Sequence, residues 1–99
     1  MGQGSNFLFG PFRFEEEREA LWREGEPVAL GNRAARALAA LLAQAPDDVS
    51  KEDLMSAVWP GQVVEEGNLT VQISALRRCL GSEAQIATIT RRGYRPQTP

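Results

Sequence analysis

Apolar residues recur at two different spacings along this chain. Near the start, "NFLFGPFRF" alternates Phe7 with Phe9 and Phe12 with Phe14 about a Gly10-Pro11 break, a period of two that predicts short strands joined by a turn. "EALWRE" and "PVAL", with Gly25 between them, extend this to four short strands in an antiparallel sheet with one face buried. Trp22 and the phenylalanines are read as the packing of that sheet. From residue 32 the period lengthens. "NRAARALAALLAQ" opens on a capping-type Asn32, stops before Pro46, and predicts a helix with Leu38, Leu41 and Leu42 on its apolar face. Ser50 and Asp53 form an S-x-x-D start signal for a second helix. That helix turns Leu54, Val58 and Trp59 to the core and ends at Pro60-Gly61. In "NLTVQISALRRCLG", Leu69, Ile73, Leu76 and Leu80 are spaced by four, three and four residues, one stripe of a third helix over about 67–80. Gly81 is expected to close it from the C′ position. "QIATITRRGYRP" then offers a β-branched run, a turn around Arg91, Arg92 and Gly93, and a return strand, a hairpin over about 86–95. The order of sheet, three helices and hairpin is an α+β fold. It predicts one domain over about 6–96, with flexible ends at 1–5 and 97–99, the latter the start of a linker.

Composition narrows the chemistry. With 99 residues, 42% of them hydrophobic, the chain can bury one core. It has no histidine and a single cysteine, Cys79, so catalytic triads and His- or Cys-built metal sites are excluded and no cofactor is expected. Cys79 is read as a small packing residue beside the third-helix stripe. The run Glu15-Glu16-Glu17 is read as a solvated turn rather than paired catalytic carboxylates, and no enzyme is predicted. The polar start is not a signal peptide and no apolar run could span a bilayer. The expected setting is the cytoplasm, with no membrane contact by this domain.

Charge changes the picture most. The net charge is −2, but five arginines face eight acids in residues 1–50, and Lys51 faces Glu52, Asp53, Glu65 and Glu66 in 51–67. Residues 68–99 reverse the sign, with Arg77, Arg78, Arg91, Arg92 and Arg95 against Glu83 alone. A ligand meets the local field, so this basic third is the candidate contact surface. Cations at a helix C-terminus stabilise by about 0.3–1 kcal/mol on their own account. That explains Arg77 and Arg78 but not the arginines of the hairpin, and the joint pattern favours a phosphate-facing surface.

Four segments, "FGPFRF", "VSKEDLMSAVWPG", "VVEEGNLTVQISALRRCLG" and "TITRRGYRP", resemble in order and spacing the winged-helix effector domain of OmpR/PhoB-type bacterial transcriptional regulators. The resemblance implies a winged helix-turn-helix, its third helix in the DNA major groove and its hairpin a wing near the adjacent minor groove. Base contacts then fall to Asn68, Val71, Gln72, Ala75 and Arg78, and backbone contacts to Lys51, Trp59, Ser74, Arg77, Thr88 and Tyr94. The wing positions are Thr90, Arg91 and Arg92. Ala75 stands where relatives often carry arginine, so a bidentate fork to guanine is missing there. Pro96 stands where an apolar or aromatic strand residue is usual, which challenges the length of the final strand.

The function expected on this resemblance is sequence-selective binding of double-stranded DNA by a monomer that pairs head to tail on its site. The link "PGQVVEEG", with Gln62, Glu65 and Glu66, is expected to face RNA polymerase. The alternative is a winged-helix module that docks on protein without binding DNA, motivated by the acidic first two-thirds and by Ala75. An RNA-binding reading ranks lower, because the sheet offers no identifiable pair of stacking aromatics.

Overall fold

The computed structural model describes residues 6–45, 47–81, 85–89 and 93–97. Four strands, β1 (Asn6–Phe9), β2 (Phe12–Glu15), β3 (Ala20–Arg23) and β4 (Glu26–Val28), form an antiparallel sheet in that order. The connection from β3 to β4 carries positive φ at both Glu24 (50°) and Gly25 (84°), as a two-residue hairpin with the natural strand twist requires. The register puts Phe7 opposite Phe14, Phe9 opposite Phe12, and Phe14 opposite Leu21. One sheet face is therefore aromatic, with Phe9 and Phe12 stacked at 5.4 Å between centroids and Phe14 fully buried.

Trp22 departs from its expected place. Leu21 faces the core, so its neighbour in a strand must point away, and Trp22 lies half-buried on the outer face opposite Arg13 and Pro27. There the Arg13 guanidinium sits 5.3 Å from the Trp22 ring centroid, and both donate to Glu15, Trp22 Nε1 at 3.1 Å and Arg13 Nη1 at 2.9 Å. The hydrogen bond from Trp22, then that from Arg13, hold the Glu15 carboxyl below its ordinary range. The acidic run is therefore not simply solvated. Glu19, just beyond it, accepts from Asn32 Nδ2 at 2.6 Å and pairs with Arg36 at 3.5 Å.

That contact also corrects the start of the first helix, α1 (Asn32–Ala43). Gly31, not Asn32, is the N-cap, and no side chain caps it. The Asn32 amide is held by Glu19 of the β2–β3 turn, and no side chain caps the start of its own helix. Ala34, Ala35 and Ala37 are as buried as Leu38 and Leu41, so the buried face of α1 mixes leucine with alanine.

A two-residue strand, β5 (Val49–Ser50), leads directly into α2 (Lys51–Val58), where the Ser50 hydroxyl accepts from the Asp53 N–H at 3.0 Å as the S-x-x-D signal predicts. Trp59 ends α2 and is 6% exposed. The third helix, α3 (Glu66–Leu80), buries Leu69, Ile73, Leu76 and Leu80. Gly81 is its C-cap rather than C′, with φ 64° and its N–H donated to the Arg77 carbonyl. Cys79 is half-buried beside the stripe, its Sγ 3.4 Å from the Ala29 carbonyl.

The chain closes with β6 (Gln85–Ile89) and β7 (Gly93–Gln97), joined antiparallel, and β7 also pairs with β5 to give the sheet order β5-β7-β6. Pro96 does not shorten the last strand. Because β5 spans two residues, opposite Gly93 and Tyr94, β7 has a neighbour on one side only beyond that point, where a missing N–H is tolerated. Among the described residues no helix is long and apolar enough to cross a membrane, and no cluster of three or more His, Cys, Asp or Glu could hold a metal.

Candidate nucleic-acid interface

With its leucine and isoleucine stripe in the core, α3 turns the opposite face to solvent. At 3.6 residues per turn that face carries Gly67, Asn68, Val71, Ser74, Ala75 and Arg78. Ala75 is half-buried and the others are exposed. Gln72 lies at its border, also half-buried. None of these residues is acidic, and only Arg78 is long. Such a surface allows a close approach along its whole length.

The flanks are built differently. On one side Lys51, the first residue of α2, donates from Nζ to Glu66 Oε2 at 2.6 Å, joining the starts of α2 and α3. This hydrogen bond, and then the Glu66 charge, raise the Lys51 ammonium above its ordinary range, with the nearby Tyr94 adding to the push. The sequence places Glu66 in the link between helices, but it stands in the first turn of α3 and already holds a cation. Gln62 and Glu65 remain exposed in the link, beside a nearly fully exposed Val63.

Further along α3, Arg77 donates from both Nε (3.2 Å) and Nη2 (2.8 Å) to the Ile86 carbonyl of β6. Its guanidinium carbon lies 5.9 Å from the Tyr94 ring centroid. Arg77 thus joins the end of α3 to the hairpin sheet. Helix-dipole compensation and phosphate contact, the two roles weighed from sequence, did not include this one. Arg95, another member of the basic third, pairs with Asp48 at 3.7 Å. Arg78 makes no ion pair among the described residues and stays on the exposed face.

The remaining expected contacts divide. Ser74 is on the exposed face. Trp59 is in the core, its ring 6.0 Å from the Arg33 guanidinium carbon, and Tyr94 is buried in β7. Thr88 belongs to β6, opposite Tyr94. Thr90, Arg91 and Arg92 lie outside the described residues. The structure brings together Lys51, Glu66, Tyr94 and Arg77 where α2, α3 and the hairpin sheet meet. Two of these links, Lys51 to Glu66 and Arg77 to Ile86, join residues too far apart for any helical or strand period to reveal.

A family model described as "Transcriptional regulatory protein, C terminal" matches residues 25–96. A comparison with curated proteins found no significant match. Among solved structures, the DNA-binding domain of E. coli CadC is similar at 25% identity with a TM-score of 0.81, covering 100% of this chain and 96% of that one. The DNA-binding domain of E. coli CpxR gives a TM-score of 0.84 at 21% identity, over 93% and 95% of the two chains. A streptococcal protein, from a family of redox sensors evolved from two-component response regulators, gives 0.81 at 25% identity. It matches 100% of this chain, which spans 44% of that one.

Proposed function

This chain belongs to the family of transcriptional regulatory protein C-terminal domains, and from that premise we propose that it binds double-stranded DNA sequence-selectively as part of a bacterial transcription regulator. The α3 helix enters the major groove, and the β6–β7 hairpin lies beside the adjacent minor groove. The observation that carries this reading is the outer face of α3, exposed, free of acids and built from small residues around Arg78. Its setting is an otherwise acidic chain. The CadC domain, similar over this chain's whole length, is itself described as DNA-binding.

In this reading Asn68, Val71, Gln72, Ala75 and Arg78 meet base edges, while Ser74 and Lys51 meet phosphates. Arg77 acts chiefly by fixing the hairpin against α3. Phosphate contacts set affinity and register, and base contacts set choice. The exposed link with Gln62 and Glu65 is the surface offered to RNA polymerase, and the domain pairs head to tail on its DNA in the cytoplasm.

The test is fluorescence anisotropy of the domain with a random-sequence duplex across a salt series. A domain neutralising about four phosphates gives a log–log slope of roughly −3.6. Folded protein that binds no duplex at low salt would support the interaction-module reading instead. In the same series Glu66→Gln is expected to tighten non-specific binding about threefold and to steepen the slope by about 1. It releases Lys51 from a competing carboxylate and lets it neutralise one more phosphate. An unchanged slope would remove Lys51 from the contact surface.

A further inference from the structure

β1 is an edge of its sheet, and among the described residues it pairs with β2 alone. Phe9 and Phe12 close the two-residue turn to β2 as a hydrogen-bonding pair, and such pairs alternate with non-bonded ones along an antiparallel ladder. Phe9 and Phe7 therefore direct their N–H and C=O groups to β2, and Leu8 directs both of its own to the free edge. The Leu8 side chain lies on the outer face of the sheet, opposite Arg13, and is 78% exposed. Edge strands are ordinarily blunted by charge or proline. β4, the opposite edge, follows that rule with Glu26 and Pro27, whereas β1, "NFLF", has neither.

A free N–H and C=O on one residue are complemented by the same two groups of another extended strand. A copy of β1 supplies them without repulsion, because the strand carries no charge. The nearest charged side chains on that face, Arg13 and Glu15 of β2, already pair with each other at 2.9 Å. In two joined copies the Arg13 side chains stand about 14 Å apart, three strand spacings and beyond the screening length. We propose that β1 pairs antiparallel with β1 of a second copy about a two-fold axis at Leu8, so that two four-stranded sheets become one of eight. Each Leu8 then exchanges two hydrogen bonds with its counterpart, and the two side chains, now neighbours on one face, cover each other. The joint is short, so the dimer is weak, with Kd on the order of 0.1 mM. It uses no residue of the α3 face and is independent of the DNA-binding reading.

The test is sedimentation equilibrium of the chain from about 10 µM to about 1 mM. The wild type is expected to pass from monomer to dimer, and hydrogen exchange of the Leu8 amide to slow about fivefold over the same range as its N–H becomes bonded. Leu8→Lys and Leu8→Glu, each alone, set like charges face to face across the two-fold axis and are expected to stay monomeric. Their denaturation midpoints should match the wild type, because the side chain is exposed. An equimolar mixture of the two variants is expected to dimerise again, since lysine then meets glutamate. Val63→Lys places the same charge on an exposed apolar residue of the link and is expected to dimerise like the wild type. A wild-type chain still monomeric at the top of that range, association undiminished in Leu8→Lys, a mixture that stays monomeric, or loss of association in Val63→Lys would overturn the proposal.

Discussion

Replacing Gly93 by alanine is expected to cost the domain about 4 kcal/mol and to unfold it at urea concentrations where the wild type is still native. Gly93 has φ 154° and crosses β5 so closely that a Cβ would overlap the Val49 carbonyl oxygen and lie 2.8 Å from Ser50 Cα. Both obstacles are backbone, so no side chain can turn aside. Relief requires β5 and β7 to part, and the strain would spread beyond that pair. Ser50 in β5 also caps α2, and Tyr94 in β7 is a buried core residue under Arg77. Urea denaturation of Gly93→Ala beside Gly61→Ala isolates the cause. Gly61 also has positive φ, 74°, but open space where a Cβ would go, so its substitution should cost only the conformational term of about 1–2 kcal/mol. Equal losses in the two variants would show that the close approach at Gly93 is not what demands glycine.

Arg78→Ala is expected to produce the largest single loss of binding, about 1–3 kcal/mol or 5- to 150-fold against a selected duplex. Stability should change by no more than about 1 kcal/mol, the worth of a cation near a helix C-terminus. Arg78 is the long cationic side chain of the exposed α3 face and is suited to a bidentate fork on guanine. The loss should therefore come with relaxed preference at one base position, read by repeating the duplex selection with the variant. Its neighbour Arg77 should behave differently. Because it holds the Ile86 carbonyl through two hydrogen bonds, its removal acts on stability as well as affinity. An Arg78→Ala protein with wild-type affinity would mean that the C-terminal end of the exposed α3 face does not meet the groove.

Local periodicity made the helices and the exposed face of α3 legible. The four-three-four spacing of Leu69, Ile73, Leu76 and Leu80 fixes which side of α3 is buried, and so which residues remain for a partner. Ser50 and Asp53 announced a cap that the structure contains. What the sequence left hidden was decided between distant segments. β5 is two residues long and exists only because β7 pairs with it. Leu21 and Trp22 are adjacent, and alternation says that one points inward without saying which. Asn32 carries a sound capping signal, yet Glu19 offers its amide a charged acceptor. Lys51 and Arg77 stand out in the sequence as cations offered to a phosphate, while their partners inside the molecule, Glu66 and the Ile86 carbonyl, do not.

The two sheets impose an order on the birth of the molecule. Each pair of strands in the β1–β4 sheet is joined by a short turn, so all strands of this sheet have been made before β5 exists. The pairing of Val49 with Tyr94 instead brings together residues almost half the chain apart, and such contacts must first overcome the entropy of closing a long loop. Until β7 emerges, β5 has no strand to meet, and the surface that α3 shares with the hairpin does not yet exist. The N-terminal sheet therefore has all its pairing partners in hand well before the β5-β7-β6 sheet can close, and the surface where α3 meets the hairpin is completed after it.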